Sequence, residues 1–269
     1  ILISIEYKDF FEERRNFEYV LPSFHSDFDW IISELNQNGF CKINHFWSED
    51  QCINVINDIE GLLINYPKYV HSENKSDLRL YGAENISSNI NIFSKNDLLN
   101  SVANKYNQKN TQLGFTLAAK MPYQRNSKGS GEGWHRDAFF RQFKAILYLS
   151  DVGINNGPFE IIKNSNKYKN LLEDIQMGNL KYMQFRLSEK EIFKIISKEP
   201  QRKKTILGKM GTLILVDTSC LHRGSPILSG IRYSITNYYY TFNQIDNELF
   251  KKFNVLPKEI HKKIIYDKK

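Results

Sequence analysis

The chain has 269 residues, 41% of them hydrophobic and 13% aromatic, with a formal net charge of +7. That fits one large domain, alone or with an extension, around a sizeable core. No apolar run reaches the length of a membrane span, and the first residues lack the basic-then-apolar pattern of a signal peptide, so no membrane association is expected.

The basic balance suits nucleic acid, a membrane surface or an acidic small molecule. Much of it sits in the last residues, at Lys251, Lys252, Lys258, Lys262, Lys263, Lys268 and Lys269. A terminal lysine run reads as a solvated helix face, and no nucleic-acid motif accompanies it, so no nucleic-acid partner is expected. Cys41, Cys52 and Cys220 have no CxxC spacing. They read as free thiols in a reducing compartment, and the expected location is cytoplasmic.

Taken in chain order, residues 27–39 read as a helix, with Phe28, Ile31, Ile32 and Leu35 at helical spacing and Gly39 as its stop. Residues 40–43 suit a short strand. Ser48-Glu-Asp-Gln51 is a capping box, with Trp47 placed to staple onto Cys52. The helix it opens carries Cys52, Val55, Ile56, Ile59, Leu62 and Leu63 on one side. Residues 65–95 lack periodicity and read as loops with short strands. Leu98, Leu99, Val102, Ala103 and Tyr106 mark another helix.

From about residue 111 strands dominate. They are predicted at 111–122, 143–150 and 158–162, with an Asn155-Asn156-Gly157-Pro158 turn before the last. A second capping box, Ser188 to Glu191, opens an inserted helix that breaks at Pro200. Strands resume at 205–206, 211–217 and 231–242. The tail from Asp246 reads as helical, with Pro257 suited to a first helical turn. The class is α+β around a β-core.

The chemistry centres on His135-Arg136-Asp137, answered downstream by His222 and then Arg232. In a strand, His135 and Asp137 share a face, and a distant His completes a three-point site. Two imidazoles and a carboxylate on one side of a metal form the facial triad of non-haem Fe(II) oxygenases. A lone His-x-Asp is common by chance. Here each partner stands at a predicted strand end: His135 after the glycine-rich loop 129–133, His222 after the run 212–216, and Arg232 at the head of 233–242.

Arg232 offers a planar fork for the far carboxylate of 2-oxoglutarate, and Ser234, two residues on, could add a third donor. Lys144 shares a face with Ile146 and Tyr148. If that face is interior, its ammonium needs a partner such as a cosubstrate carboxylate, or else snorkels to the rim. His25, His45, His71 and His261 have no ligand spacing and read as loop or satisfied-core residues. Cys220 reads as a buried inert thiol and Trp134 as packing beside the metal or as ordinary core.

The stretches Gly133-Trp134-His135-Arg136-Asp137, Phe143 to Val152, Asn156-Gly157-Pro158-Phe159, Leu221-His222-Arg223-Gly224-Ser225-Pro226 and Arg232-Tyr233-Ser234 resemble the phytanoyl-CoA dioxygenase family. The resemblance covers about the C-terminal half, and the N-terminal helices more weakly. It implies a double-stranded β-helix (jelly-roll, cupin-like) core over about 109–245, in a single domain 1–269. Flanking it would be a helical extension over about 1–108, a helical insert near 165–200 and a helical tail over about 246–269. It also implies Fe(II), 2-oxoglutarate and O2, with His135, Asp137 and His222 on the metal and release of succinate and CO2. Ser165-Asn166-Lys167 departs from a Ser-His-Lys common in the family, a position that is not a metal ligand.

Family relatives that halogenate lack the carboxylate, so Asp137 favours hydroxylation. The expected substrate is a small molecule, anionic or with an anionic carrier-linked head, drawn by Arg125, Lys128 and Arg141 around the mouth and walled by Phe139 and Phe140. Alternation turns Arg136 away from the metal. Two other readings stay open: a catalytically silent metal-binding β-barrel used for recognition, and a nucleic-acid oxygenase.

Overall fold

The computed structural model describes residues 25–72, 77–241 and 244–258. In chain order the elements are α1 (His25–Asn38), β1 (Phe40–Ile43), α2 (Glu49–Asn65), β2 (His71–Ser72), β3 (Leu78–Tyr81), α3 (Ser88–Ser94) and α4 (Asp97–Asn107). Then come β4 (Thr111–Pro122), β5 (Phe143–Tyr148), β6 (Phe159–Ile162), α5 (Tyr168–Gly178) and α6 (Glu189–Ile196). The chain continues through β7 (Lys203–Ile206), β8 (Leu213–Asp217), β9 (His222–Gly224), β10 (Ile231–Thr241) and α7 (Asn247–Lys252).

The strands form two antiparallel sheets, one ordered β1-β8-β5-β10-β4-β3-β2 and a smaller one ordered β7-β6-β9. This is the expected jelly-roll core, with α1 to α4 packed on the outer face of the large sheet and α6 packed instead beside the small sheet. Both faces of the large sheet are covered, which explains the near-continuous apolar runs of β5 and β8. Phe143, Ala145, Leu147, Leu213 and Leu215 point outward, into a core shared with Ile31, Leu35, Val55, Ile59 and Phe93 from the helices. Tyr148, Ile214 and Val216 point inward, and pack with Phe159, Ile161 and Ile206 of the small sheet. Truncating a fully buried Leu such as Leu147 to Ala is expected to cost about 2–5 kcal/mol.

Both capping boxes form, at Ser48–Gln51 and Ser188–Glu191. Trp47 joins the same core as Cys52, and its ring meets Phe93 edge-on at 5.6 Å. Two expectations need correction. Residues 65–95 also carry α3, too short and Asn-rich to show a period; the Ser87 side chain caps it by accepting from Ile90 N. The insert holds two helices rather than one. The extra helix, α5, buries Leu171 and Asp174, and Asp174 meets Arg202 through two hydrogen bonds of 2.7 and 2.9 Å. A buried acid inside the stripe hid the helix from its apolar pattern.

In the tail, α7 ends at Lys252 and Pro257 follows it outside any helix. The rest of the expected tail, with Lys262, Lys263, Lys268, Lys269 and His261, lies outside the described residues, as do residues 1–24 of the N-terminal extension. Among the described residues no helix is long and apolar enough to cross a membrane.

Candidate metal centre and its cavity

His135 and Asp137 stand on an extended segment rather than a regular strand. His135 is joined to His222 by reciprocal backbone hydrogen bonds, 2.9 Å from His135 N to His222 O and 2.8 Å in return. Asp137 N donates to Thr218 O at 2.9 Å. The segment is therefore stitched to β9 and to the turn before it, and side-chain alternation still applies. His135 and Asp137 face the cavity. Arg136 turns the other way and is buried, donating to the Ser219 carbonyl at 3.1 Å.

The three side chains converge. His135 Nε2 lies 3.7 Å from Asp137 Oδ1, and His222 Nε2 lies 3.8 Å from Asp137 Oδ2. One ligand atom from each residue falls within 4.8 Å of the other two. These separations are too long for hydrogen bonds and close enough for one cation to meet all three. His135 Nδ1 sits 2.8 Å from Gly133 O, and His222 Nδ1 sits 2.8 Å from Cys220 O. A carbonyl only accepts, so each Nδ1 carries the proton and each Nε2 presents its lone pair to the site.

Burial favours the neutral imidazoles. It lowers His135, and together with the penalty of placing a second imidazolium against His135 it brings His222 down to about 3. For Asp137 burial alone would raise the carboxyl. Lys144, His222 and His135 outweigh it and hold the group well below the usual carboxylate range. Neutral imidazoles and an ionised carboxylate are the forms that bind a divalent metal.

Lys144 is buried on the interior face, and its ammonium reaches Asp137 Oδ2 at 2.7 Å and lies 3.8 Å from the Tyr238 ring centroid. The partner it needs is thus a protein carboxylate, not the rim solvent. Burial depresses its ammonium, but the Asp137 charge more than reverses this and raises it. Two glycines shape the site. A Cβ on Gly131, whose φ is +79°, would come within 2.3 Å of His135 Cε1. A Cβ on Gly224 would sit 2.9 Å from an Arg232 terminal nitrogen.

Arg232 is 5% exposed and lines the same cavity. One terminal nitrogen lies 2.8 Å from Met121 Sδ, and its Nε meets no partner. No carboxylate pairs with it among the described residues. Burial lowers its guanidinium from the ordinary value. A buried, unneutralised arginine fits a dicarboxylate arriving from outside, because leaving such a charge uncompensated is costly. Ser234 follows on the same face, also buried and cavity-lining.

The cavity holds about 590 Å³, within the range of small-molecule sites. The cations expected at its mouth do not line it. Arg141 instead donates to Tyr106 O at 2.6 Å and lies over the Tyr106 ring, while Arg125 and Lys128 are exposed on the loop outside. Phe139 packs on Phe185 and Phe140 is solvent-exposed, so neither forms the expected wall. The lining cations are Arg79, Lys144, Arg186, Arg232 and Lys252, and the wall rings include Tyr81, Tyr238, Tyr240 and Phe253. His71, read from sequence as a bystander, also lines it. Tyr238 and Tyr240 were legible, since they continue the alternation of Arg232 and Ser234. Nothing in the sequence marks Arg79. Trp134 is core, stacked under Arg223 at 4.7 Å, and Cys220 is buried and free, its thiol pushed up to about 12 by burial.

Solved structures share the fold at low identity. EctD from S. alaskensis with bound Fe is 15% identical at a TM-score of 0.63, over 84% of this chain and 80% of that one. The epimerase SnoN, in complex with Fe3+, alpha ketoglutarate and nogalamycin RO, is 12% identical at 0.61, over 80% and 84%. HygX from Streptomyces hygroscopicus, with nickel and 2-oxoglutarate bound, is 12% identical at 0.56, over 83% and 88%. No curated protein matches in sequence. The family comparison is decisive: phytanoyl-CoA dioxygenase (PhyH) matches residues 35–233, which include α2 to α6, the metal centre and Arg232. The chain belongs to the phytanoyl-CoA dioxygenase family, whose members are Fe(II)- and 2-oxoglutarate-dependent oxygenases.

Proposed function

We propose that this protein hydroxylates a small anionic molecule, with His135, Asp137 and His222 holding Fe(II) and Arg232 holding the far carboxylate of 2-oxoglutarate. The observation that carries the reading is Arg232: a buried guanidinium in the same cavity as the three-ligand cluster, with no carboxylate paired to it among the described residues. When bound, iron with 2-oxoglutarate and O2 supplies the oxidation, in which the keto acid becomes succinate and CO2 and one oxygen atom reaches the substrate.

The chain's residues do the rest. Gly133 O and Cys220 O fix both imidazoles with Nε2 inward. Lys144 anchors Asp137 at one oxygen, so the carboxylate keeps its orientation while the metal comes and goes. Ser234 stands as the next donor along the Arg232 face. The anionic substrate rests on charge: among the described residues five cations and one carboxylate line the cavity, with Asp77 paired to one of the five, so positive charge still exceeds negative, and the two charges of Fe(II) and of 2-oxoglutarate cancel each other.

The test is an anaerobic titration with Fe(II) and then 2-oxoglutarate, followed by a succinate assay over candidate substrates. The expected result is stepwise binding of both, and a product heavier by one oxygen even in high chloride, because Asp137 takes the position a chloride would need. Failure to bind 2-oxoglutarate in the presence of Fe(II), or a chlorinated product, overturns the reading.

A further inference from the structure

The part of the cavity beyond the metal centre contains a second guanidinium that the cosubstrate does not require. Arg79, on β3, is 12% exposed at its side chain and lines the cavity. Its Nε donates to Asp77 Oδ2 at 2.8 Å, one terminal nitrogen pairs with the same oxygen, and that nitrogen reaches Ser130 Oγ at 3.2 Å. The fork therefore grips a single carboxylate oxygen. Asp77 Oδ1 is buried and has no hydrogen bond. The contact is therefore not a two-oxygen bidentate pair: Nε and one terminal nitrogen converge on one oxygen, which leaves the other terminal nitrogen of this cavity-lining side chain without a carboxylate partner.

Register places this arginine near the cosubstrate anchor but on a different strand, and its charge is felt at Arg232. Arg79 pairs with Ala119, and Ala119 pairs with Ser234. Arg79 thus stands in the Ser234 row but two strands away, roughly 10 Å at the usual strand spacing. The intervening residue is an alanine, which leaves the space between them unfilled. Along β10, Tyr238 and Tyr240 face the cavity, and Tyr81 and Phe253 close it, their ring centroids 4.9 Å apart. Lys252 stands at the mouth.

We infer that Arg79, with Ser130 beside it, is the binding site for the anionic group of the substrate, and that the Tyr81, Tyr238, Tyr240 and Phe253 rings receive its apolar body. The substrate class is an amphiphilic anion, one carboxylate or phosphate on a hydrophobic skeleton, lying across the row from Arg79 to the metal. This rests on the proposed metal and 2-oxoglutarate sites only for what happens to the bound molecule. The anion subsite itself is readable without turnover.

The experiment is calorimetry on the full chain under anaerobic conditions, with and without Fe(II) and 2-oxoglutarate. The probes are 4-phenylbutyrate, phenyl phosphate and the neutral isostere 4-phenylbutanamide. One anion is expected to bind at least about ten-fold more tightly than the amide, and which anion wins distinguishes carboxylate from phosphate. In the paired variant Arg79→Gln with Asp77→Asn, which leaves no lone buried charge, that preference is expected to vanish while 2-oxoglutarate affinity stays within about two-fold. Equal binding of amide and anion, no binding of either anion, a preference that survives in the paired variant, or competition between the anion and 2-oxoglutarate would each overturn the inference. Loss of Fe(II) or 2-oxoglutarate binding in the unmutated protein sinks the proposed function instead, and leaves the metal-free titrations to decide on Arg79.

Discussion

His135 and His222 are paired through their backbones as well as facing each other through their rings: each donates its N–H to the other's carbonyl, at 2.9 and 2.8 Å, and the ring centroids are 4.4 Å apart. The main chain therefore brings two ligands together from distant parts of the sequence with no metal required. Removing one imidazole leaves both backbone bonds in place. His135→Ala and His222→Ala are expected to fold, and Asp137→Ala to fold with reduced stability because it leaves the buried Lys144 ammonium unpaired. Each is expected to weaken Fe(II) binding by more than the ~10–100-fold typical of losing an outer hydrogen-bond partner, and to abolish substrate-coupled succinate formation. Calorimetry with Fe(II) reads the first effect. Unchanged affinity in all three variants sinks the metal assignment.

Arg232→Ala separates cosubstrate from metal. A charged pair is worth about 1.5–3 kcal/mol, so 2-oxoglutarate affinity is expected to fall roughly ten- to a hundred-fold. Fe(II) affinity is expected to persist, because Arg232 meets none of the three ligands. Normal 2-oxoglutarate affinity in this variant moves the anchor elsewhere. Lys144 is a poor alternative, being already engaged by Asp137 at 2.7 Å.

Two glycine variants should fail in different ways. At Gly224 an added methyl would press on Arg232 and on Ser130 Cβ, 2.8 Å away. Gly224→Ala is expected to raise the KM for 2-oxoglutarate while sparing Fe(II) binding. At Gly131 the methyl would meet His135 Cε1, on a backbone with φ +79° that disfavours alanine. Gly131→Ala is expected to weaken Fe(II) binding first. If titrations with metal and keto acid give the same pattern for both variants, this division of the site is wrong.

The parts of the fold and site that follow strict local rules were legible in the sequence. Both capping boxes form, β4, β5, β8 and β10 stand where alternation and apolar runs put them, and His135, Asp137, His222, Arg232 and Ser234 all reach one cavity. The substrate end was not legible. Arg79 and Tyr81 come from a four-residue strand in a polar stretch, and only pairing with β4 brings them inside. Arg141 misled for the converse reason. Its position next to the metal segment suggested the mouth, yet the fold uses it to hold Tyr106 O. Distance along the chain is a poor guide wherever a side chain long enough to reach two partners decides its own direction.

Glu84 gives the fold a pH dependence unconnected with the site. Its carboxylate accepts from Thr116 N at 2.9 Å, midway along β4, and burial raises it from the ordinary 4.5 to about 7, against the lowering effect of that hydrogen bond. A folded value above the unfolded one means the folded state holds the proton more tightly. The resulting stability is fully present below about 4.5 and is lost as pH rises through about 7. Partial solvent screening reduces the loss to about 1–2 kcal/mol. Glu84→Gln keeps an oxygen for Thr116 N and removes the titration. The variant is expected to unfold at nearly the same urea midpoint as the parent near pH 5 and at a progressively higher relative midpoint toward pH 8, with the gap levelling off above that. Urea melts at half-unit pH steps measure it, and two curves that stay parallel from pH 5 to 8 would show that Glu84 keeps an ordinary carboxyl in the folded protein.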